Sequence, residues 1–411
     1  MMKIEVNGRD YAKSESPLVV VCVDGSEPGY IEEAVKTGRA PFFAKVLESG
    51  MNRIAQCVVP SFTNPNNLSI VTGRPPEVHG ICGNFFYDTE SDSEIMMNDP
   101  SLLRVPTIFK AFQDQGGTVA VITAKDKLRR LLGNGLTMEP GKACSFSSEK
   151  SDQCTLEEHG IEGVNDLVGM GVPSVYSAEL SELVFAAGVK IMGRDRPDLM
   201  YLSTTDYIQH KHAPGTPVAN DFYIMMDSYL SQLDEMGCTI VITADHGMNA
   251  KHKADGTPDV IFLQDVLDEK LGLGKTRVIC PITDPYVVHH GALGSYVTAY
   301  LADDLDRDAV LADLSAMAGI EVALTREEAC ARFQLPQDRV GDIVVVSEKN
   351  VVLGTSADRH DLSQLKEPLR SHGGISEQDV PFLSNKQTDM PEGATLRNFD
   401  AFFVGLNHMQ A

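Results

Sequence analysis

The chain has 411 residues, 43% of them hydrophobic, and a formal net charge of −23 at pH 7. Such a length suits two domains, or one large domain with an insertion, and an acidic chain without a basic patch argues against a nucleic-acid partner. No apolar run reaches the roughly 20 residues of a membrane span, and Met1 to Ser16 is polar without a signal-peptide pattern, so a cytoplasmic protein with no membrane partner is expected.

The eight cysteines are scattered, with no Cys-x-x-Cys spacing. Cys22 and Cys238 fall inside apolar, strand-like runs and read as buried thiols rather than a disulfide frame. Leu18 to Val23 is an apolar, β-branched run ending in Asp24-Gly25, which predicts a buried parallel strand with a carboxylate at its C-terminal end. Helical patterns follow over Tyr30 to Lys36 and Pro41 to Glu48. A strand-like run from Arg53 to Val59 leads into Pro60 to Gly73. There Asn64-Pro65 marks a turn, and Pro65 suits the first turn of a helix with Leu68, Ile70 and Val71 on its apolar side. Thr63 therefore sits where a strand ends and a helix begins. Free N–H groups at a helix N-terminus favour negative charge. The Thr63 hydroxyl is thus either a helix cap or, if its pKa is lowered, a nucleophile.

Asn84 to Asn98 reads as a surface hairpin and Thr107 to Gln115 as a helix. Thr118 to Thr123 is another buried strand, running into Ala124-Lys125-Asp126-Lys127 and a helical Leu128 to Leu132. Tyr176 to Met192 is a long amphipathic helix. Asp198 to Ser203 is a strand ending in Thr205-Asp206, Pro217 to Glu235 a helix, and Cys238 to Thr243 a strand ending in Asp245-His246-Gly247. This alternation predicts an α/β core, a doubly wound and mainly parallel sheet with helices on both faces.

The pattern changes after about Gly272. Strands at Ser295 to Leu301 and Glu321 to Leu324 alternate with helices at Asp306 to Met317 and Arg326 to Phe333. Ile343 to Val346 and Val351 to Gly354 read as a hairpin around Lys349-Asn350. The expected division is a catalytic core of residues 1–270 and 366–411 with an inserted α+β cap of residues 271–365.

In open parallel sheets, ligands bind at the carboxyl ends of strands. Asp24, Thr63, Asp206 and Asp245-His246 should therefore converge there. Asp206 and His210, four apart, share one face of a helical turn. His372 lies between Ser371 and a Gly-Gly pair that lets backbone approach closely. Three Asp and three His make two three-ligand sets for zinc-like ions, with Thr63 as an extra oxygen. Two ions roughly 3.5–4 Å apart suit phosphoryl transfer. His79 reads as pinning a turn, His289-His290 as lying near a cap hinge within reach of the cleft, and His212, His252 and His360 as surface residues.

Several stretches carry a resemblance. They are Val6-Asn7-Gly8-Arg9, Val23-Asp24-Gly25, Pro60 to Asn66, Gly83-Asn84-Phe85-Phe86, Thr123 to Lys127, Thr205 to Lys211, Ala244 to Met248 and Ser371 to Gly374. Together they resemble the alkaline phosphatase superfamily, in its nucleotide pyrophosphatase/phosphodiesterase branch, with the closer likeness to the phosphonoacetate hydrolase family. The resemblance covers nearly the whole chain. It implies an alkaline phosphatase-like core, a smaller cap and two zinc ions, one on Asp206, His210 and His372, the other on Asp24, Asp245, His246 and Thr63. It implies attack by Thr63 on phosphonoacetate through a phosphothreonine, releasing acetate and phosphate, and is compatible with a homodimer. A carbanion beside a carboxylate delocalises its charge, and cations aimed at that carboxylate stabilise it. Lys125 and Lys127 fit that task, and Asn84 fits that of a donor to a phosphonate oxygen. The alternative is a phosphodiesterase or nucleotide pyrophosphatase with the same metals, with Phe85, Phe86 and Tyr87 serving as a nucleobase slot. A non-catalytic phosphonate sensor is a third reading, opposed by the intact Thr63 and full ligand sets.

Overall fold

The architecture rests on an eight-stranded mixed sheet. The computed structural model describes residues 3–13, 16–282 and 292–410. In spatial order the strands are Leu396–Arg397, Met51–Gln56, Asp379–Ser384, Thr239–Thr243, Leu18–Cys22, Leu199–Ser203, Val119–Thr123 and Ala143–Ser147. The last five run parallel to one another. Asp379–Ser384 is antiparallel to both its neighbours.

Alternate residues of Leu18–Cys22 explain the layering. Leu18, Val20 and Cys22 join one apolar cluster, and Val19 and Val21 join another on the opposite face. A strand buried on both faces needs an unbroken apolar run. The helices Glu179–Arg194 and Pro217–Glu235 cover one face, and Thr63–Thr72, Ile108–Asp114 and Ala401–Asn407 the other. Cys22 and Cys238 are buried thiols, as expected. Among the described residues no helix is long and apolar enough to cross a membrane.

A second sheet, wholly antiparallel, has the order Thr276–Ile279, Tyr296–Leu301, Ile343–Ser347, Ile320–Thr325. Helices Arg307–Ser315 and Arg326–Phe333 accompany it. Its Tyr296, Val297 and Val344 belong to the same apolar cluster as Leu18 and Leu68. The two sheets thus share a core.

One expectation fails here. Val352–Gly354 does not pair with Ile343–Ser347 but lies parallel to Val260–Phe262. Both edges of Ile343–Ser347 are already taken, by Tyr296–Leu301 and Ile320–Thr325. Lys349-Asn350 does turn the chain, with Val351 N–H donating to the Glu348 carbonyl at 3.0 Å, but the turn leads out of the sheet. The expected surface hairpin does form, Phe85–Asp88 against Ser93–Met96. The N-terminal hairpin Lys3–Val6/Arg9–Ala12, not foreseen as structure, turns at Asn7-Gly8, both with positive φ. Asn-Gly is the pair such a turn favours.

Candidate active site

Because five strands are parallel, their C-terminal ends share one side of the sheet. Asp24 follows Leu18–Cys22, Asp206 follows Leu199–Ser203, and Asp245-His246 follows Thr239–Thr243. His210 sits on the short helix Tyr207–Lys211, one turn beyond Asp206. His372 arrives from the far end of the chain, on a loop after Arg370–Ser371.

These side chains meet. His210 Nε2 is 2.8 Å from Asp206 Oδ2, and His372 Nε2 is 3.7 Å from the same oxygen. His246 Nε2 lies 3.2 Å from Asp24 Oδ1 and 3.8 Å from Asp245 Oδ2. The rings of His246 and His372 stack at 3.6 Å. Thr63 Oγ1 is 3.4 Å from His246 Nε2. Close approach explains a glycine: a Cβ on Gly25 would stand 3.0 Å from that of Asp206, at φ +71°.

Thr63 does not cap its helix. The cap position of Thr63–Thr72 is Phe62, with no side-chain cap bond, and Thr63 is the first helical residue. Its hydroxyl faces the carboxylate–imidazole cluster instead. Two buried amides fix this helix. Asn66 Oδ1 accepts from Val58 N–H at 2.7 Å, and its Nδ2 donates to the Phe62 carbonyl at 3.0 Å. Asn67 Nδ2 donates to Asp245 Oδ2 at 3.2 Å, while its Oδ1 accepts from Tyr201 and Ser203. Sequence reasoning passed over both. The signal was there: asparagine is a poor helix former, so two adjacent in a helix interior need another reason to be present.

Burial and mutual repulsion set the electrostatics. Asp24 is pushed well above the usual carboxylate range by burial and by the charges of Asp206 and Asp245. Asp245 rises for the same first reason, against the pull of His246. Burial also opposes ionisation of Asp206, yet His210, with His372 and His246, holds it well below its ordinary value. Burial disfavours the charge on His246, but Asp245 and Asp24 outweigh it and lift the ring to about 10. His372 is pushed down by burial and by His246.

The donor set suits divalent cations. Each histidine Nδ1 faces a backbone carbonyl: His210 that of Arg370 at 2.8 Å, His246 that of Gly247 at 2.9 Å, and His372 that of Ser61 at 2.7 Å. A carbonyl only accepts, so Nδ1 carries a proton, and Nε2 is the atom left facing the carboxylates, the one that would ligate a cation once its own proton is displaced. Outer hydrogen bonds of this kind orient metal-binding imidazoles. Among the described residues, two groups have ligand atoms within 4.8 Å of one another, Asp24/Asp245/His246 and Asp206/His246/His372. His246 thus belongs to both by distance, because its ring lies on that of His372, and His210 joins through its contact with Asp206.

Ser61 ties the Thr63 stretch to the His372 loop. Besides accepting from His372, it bonds through its N–H to the Gly373 carbonyl at 3.2 Å. Its Oγ accepts from Gly373 N–H at 3.0 Å and donates to the Gly374 carbonyl at 2.9 Å. Ser61→Ala would strand a buried N–H, so we expect a loss of about 1–3 kcal/mol in stability, read as a lower denaturant midpoint. An unchanged midpoint would mean that the tie is dispensable.

A cleft of about 390 Å³ opens over the cluster, lined by Thr63, Asn84, Lys125, Lys127, Asp206 and His372 among others. Lys125 is the cap residue of the helix Asp126–Leu132, and Lys127 lies in its first turn. Asn84 Nδ2 donates to the Ile282 carbonyl at 3.0 Å, and an amide nitrogen carries a second hydrogen. None of the three aromatics expected as a base slot is among the described residues that line the cleft. Phe86 and Tyr87 line a separate pocket with Tyr300 and Arg339, and Phe85 is not among the described residues lining the cleft. The hairpin that carries them faces the second sheet, where the Tyr87 and Tyr300 rings meet edge to face. Among the described residues, Phe62, Tyr176 and Tyr207 bring phenyl and phenol rings to the cleft.

His79 pins its turn: it is buried, with Nε2 2.9 Å from Ser69 Oγ and Nδ1 accepting from Ile81 N–H. His360 is not a surface residue. It is 6% exposed, because its Nε2 accepts from Thr355 N–H at 2.9 Å and its ring lies near Phe262. His212 and His252 are half-buried. His289 and His290 lie outside the described residues.

A parallel sheet with paired carboxylate–imidazole sets at its strand ends defines a class, and comparison with known proteins agrees. The chain belongs to the type I phosphodiesterase / nucleotide pyrophosphatase family, whose description it matches over residues 18–375. It is 59% identical to the phosphonoacetate hydrolase of Sinorhizobium meliloti 1021, solved with phosphonoacetate and with phosphonoformate, covering 98% of each chain at a TM-score of 0.96. Murine ectonucleotide pyrophosphatase/phosphodiesterase 5, in an inactive form with AMP, shares the fold at 17% identity and a TM-score of 0.64, covering 97% of this chain and 96% of that one. A pyrophosphatase/phosphodiesterase of Schizosaccharomyces pombe is 24% identical over 57% of this chain and 45% of its own length. The chain spans less than half the length of the fungal relatives it matches.

Proposed function

We propose that this protein hydrolyses the carbon–phosphorus bond of phosphonoacetate to acetate and phosphate. The observation that carries this reading is the pair Lys125 and Lys127 on the same cleft as Thr63, in a chain 59% identical to a phosphonoacetate hydrolase. Two zinc ions fit the cluster: Asp206, His210 and His372 would hold one, and Asp24, Asp245, His246 and Thr63 the other. When bound, they supply positive charge next to the phosphonate and the Thr63 hydroxyl.

The chain's own residues account for the rest. Thr63 Oγ gives up its proton to solvent and attacks phosphorus as the P–C bond breaks. The bonding pair passes to the methylene carbon and spreads into the carboxylate, where Lys125 and Lys127 stabilise it as it develops. That carbon takes a proton from solvent and leaves as acetate. Water then attacks the phosphothreonine, and cleavage of its P–O bond frees phosphate and restores Thr63. Asn84 orients a phosphonate oxygen. We read residues 271–365 as an inserted cap whose Ile282 helps to wall the cleft, and the buried thiols of Cys22 and Cys238 as those of a cytoplasmic protein.

The test is phosphate release from phosphonoacetate beside hydrolysis of a nitrophenyl diester. Lys125→Ala or Lys127→Ala should cost about 10²–10³ in kcat/KM on phosphonoacetate and far less on the diester, whose leaving group needs no carboxylate clamp. Equal losses would reduce the lysines to scaffolding. Diester hydrolysis as the main activity is the second reading, favoured by the family match; a wild-type enzyme that turns over only the diester would establish it.

A further inference from the structure

The turn that carries the two lysines is built against its local electrostatics. Lys125 and Lys127 flank the N-terminus of the helix Asp126–Leu132, where unpaired N–H groups disfavour a cation. Two carboxylates answer this. Asp126 is buried, its Oδ1 accepting from Arg129 Nε at 3.0 Å and Ser147 Oγ at 3.3 Å, its Oδ2 from Arg130 Nε at 3.1 Å. Those bonds anchor the helix from behind. The second carboxylate comes from the next strand. Ala143–Ser147 runs parallel to Val119–Thr123, with Ser147 opposite Thr123. The chain beyond stays alongside the lysine turn, with Glu149 N–H donating to the Ala124 carbonyl at 3.1 Å. Glu149 Oε2 then accepts the Asp126 N–H at 2.9 Å, from the peptide group that joins Lys125 to Asp126. On the other side, Thr123 Oγ1 donates to the Lys125 carbonyl at 2.8 Å. Glu149 lines the same cleft as both lysines.

We infer that Glu149 is a positioning residue for substrate selection: by holding the Asp126 N–H it fixes the backbone on which Lys125 and Lys127 reach toward the carboxylate of a carboxyl-bearing phosphonate. The inference rests on the proposed hydrolysis of phosphonoacetate. A carboxylate placed here has two effects: its hydrogen bond sets the direction of the turn, and its charge offsets the helix end that would otherwise repel the lysines. The first is specific to this geometry and is the part under test.

Glu149→Ala should lower kcat/KM on phosphonoacetate about 10- to 100-fold, the value of a hydrogen bond to a charged group, and leave a nitrophenyl diester within about threefold of wild type. Glu149→Gln should recover most of the lost selectivity, because its amide oxygen still accepts from the Asp126 N–H. In a Lys125→Ala background the further change Glu149→Ala should cost clearly less than it does alone, since residues acting through one another are not additive and only Lys127 is then left to be positioned. Equal losses on both substrates, a glutamine variant no better than alanine, or fully additive losses with Lys125→Ala would each overturn the inference. Failure of the parent reading looks different: the wild-type enzyme itself would not release phosphate from phosphonoacetate. If wild type and Lys125→Ala behave as expected and Glu149→Ala retains full selectivity, only the role of Glu149 falls.

Discussion

Thr63→Ala should lose nearly all turnover, roughly three or more orders of magnitude in kcat, while folding normally. The two halves of that expectation have separate grounds. Folding is preserved because Phe62, not Thr63, occupies the cap position, and no backbone N–H depends on the threonine side chain as a cap. A true cap would cost about 1 kcal/mol on truncation; here the change should be smaller. Turnover is lost because the hydroxyl faces the carboxylate–imidazole cluster, with Oγ1 3.4 Å from His246 Nε2, and is the proposed nucleophile. Thr63→Ser should retain part of the activity, since it keeps a hydroxyl of similar basicity on a more mobile side chain. Acid quench during turnover, followed by mass spectrometry of the peptide containing Thr63, should find it phosphorylated. A Thr63→Ala variant within tenfold of wild type would refute the covalent route.

Removal of divalent ions should have an effect as large. Three aspartates, Asp24, Asp206 and Asp245, converge on buried or nearly buried ground, and the burial that raises Asp24 and Asp245 is the cost of that convergence. Dialysis against a chelator should abolish turnover, and zinc should restore it. Stability should fall as well, since an ion present at about 100 times its Kd contributes roughly 2.7 kcal/mol to folding. The melting temperature of the stripped protein therefore reads the same event without reference to activity. Asp206→Ala or His372→Ala should empty mainly one site, leaving the other partly filled. Metal analysis that finds one ion or fewer per fully active chain would sink the two-ion reading.

The parallel strands were legible because each is buried on both faces and so appears as a short apolar run, and the aspartates stood out as charges ending such runs. The Pro217–Glu235 and Arg326–Phe333 helices lie where their periodicity put them. What escaped was set by distant parts of the chain. Asp379–Ser384 contains Pro381, which argues against a strand inside a sheet. It is tolerated because pairing to Thr239–Thr243 involves only Leu383 and Ser384, so the missing N–H removes nothing on that side. Val352–Gly354 has the composition of a hairpin arm, but the neighbours of Ile343–Ser347 leave it no edge. His360 lies among polar residues in sequence and is nonetheless enclosed. Glu149 is an unremarkable acid until strand pairing sets it beside the lysine turn. In each case the local signal is sound, and a partner more distant in sequence decides the outcome.

The position of Asp379–Ser384 also imposes an order in time. It lies between Thr239–Thr243 and Met51–Gln56, so the strand leading to Thr63 reaches the parallel strands only through a segment synthesised more than 300 residues later. At about 5–20 residues per second, a growing chain holds Met51–Gln56 without that neighbour for roughly 15–65 s, long after the strands bearing Asp24, Asp206 and Asp245 have emerged. The Ser61 tie to Gly373 and Gly374 must wait equally long. On the ribosome the carboxylates can assemble early, and the Thr63 helix can reach them through Asn67, but its leading strand gains its sheet neighbour, and Ser61 its tie, only once the chain has grown past Ser384.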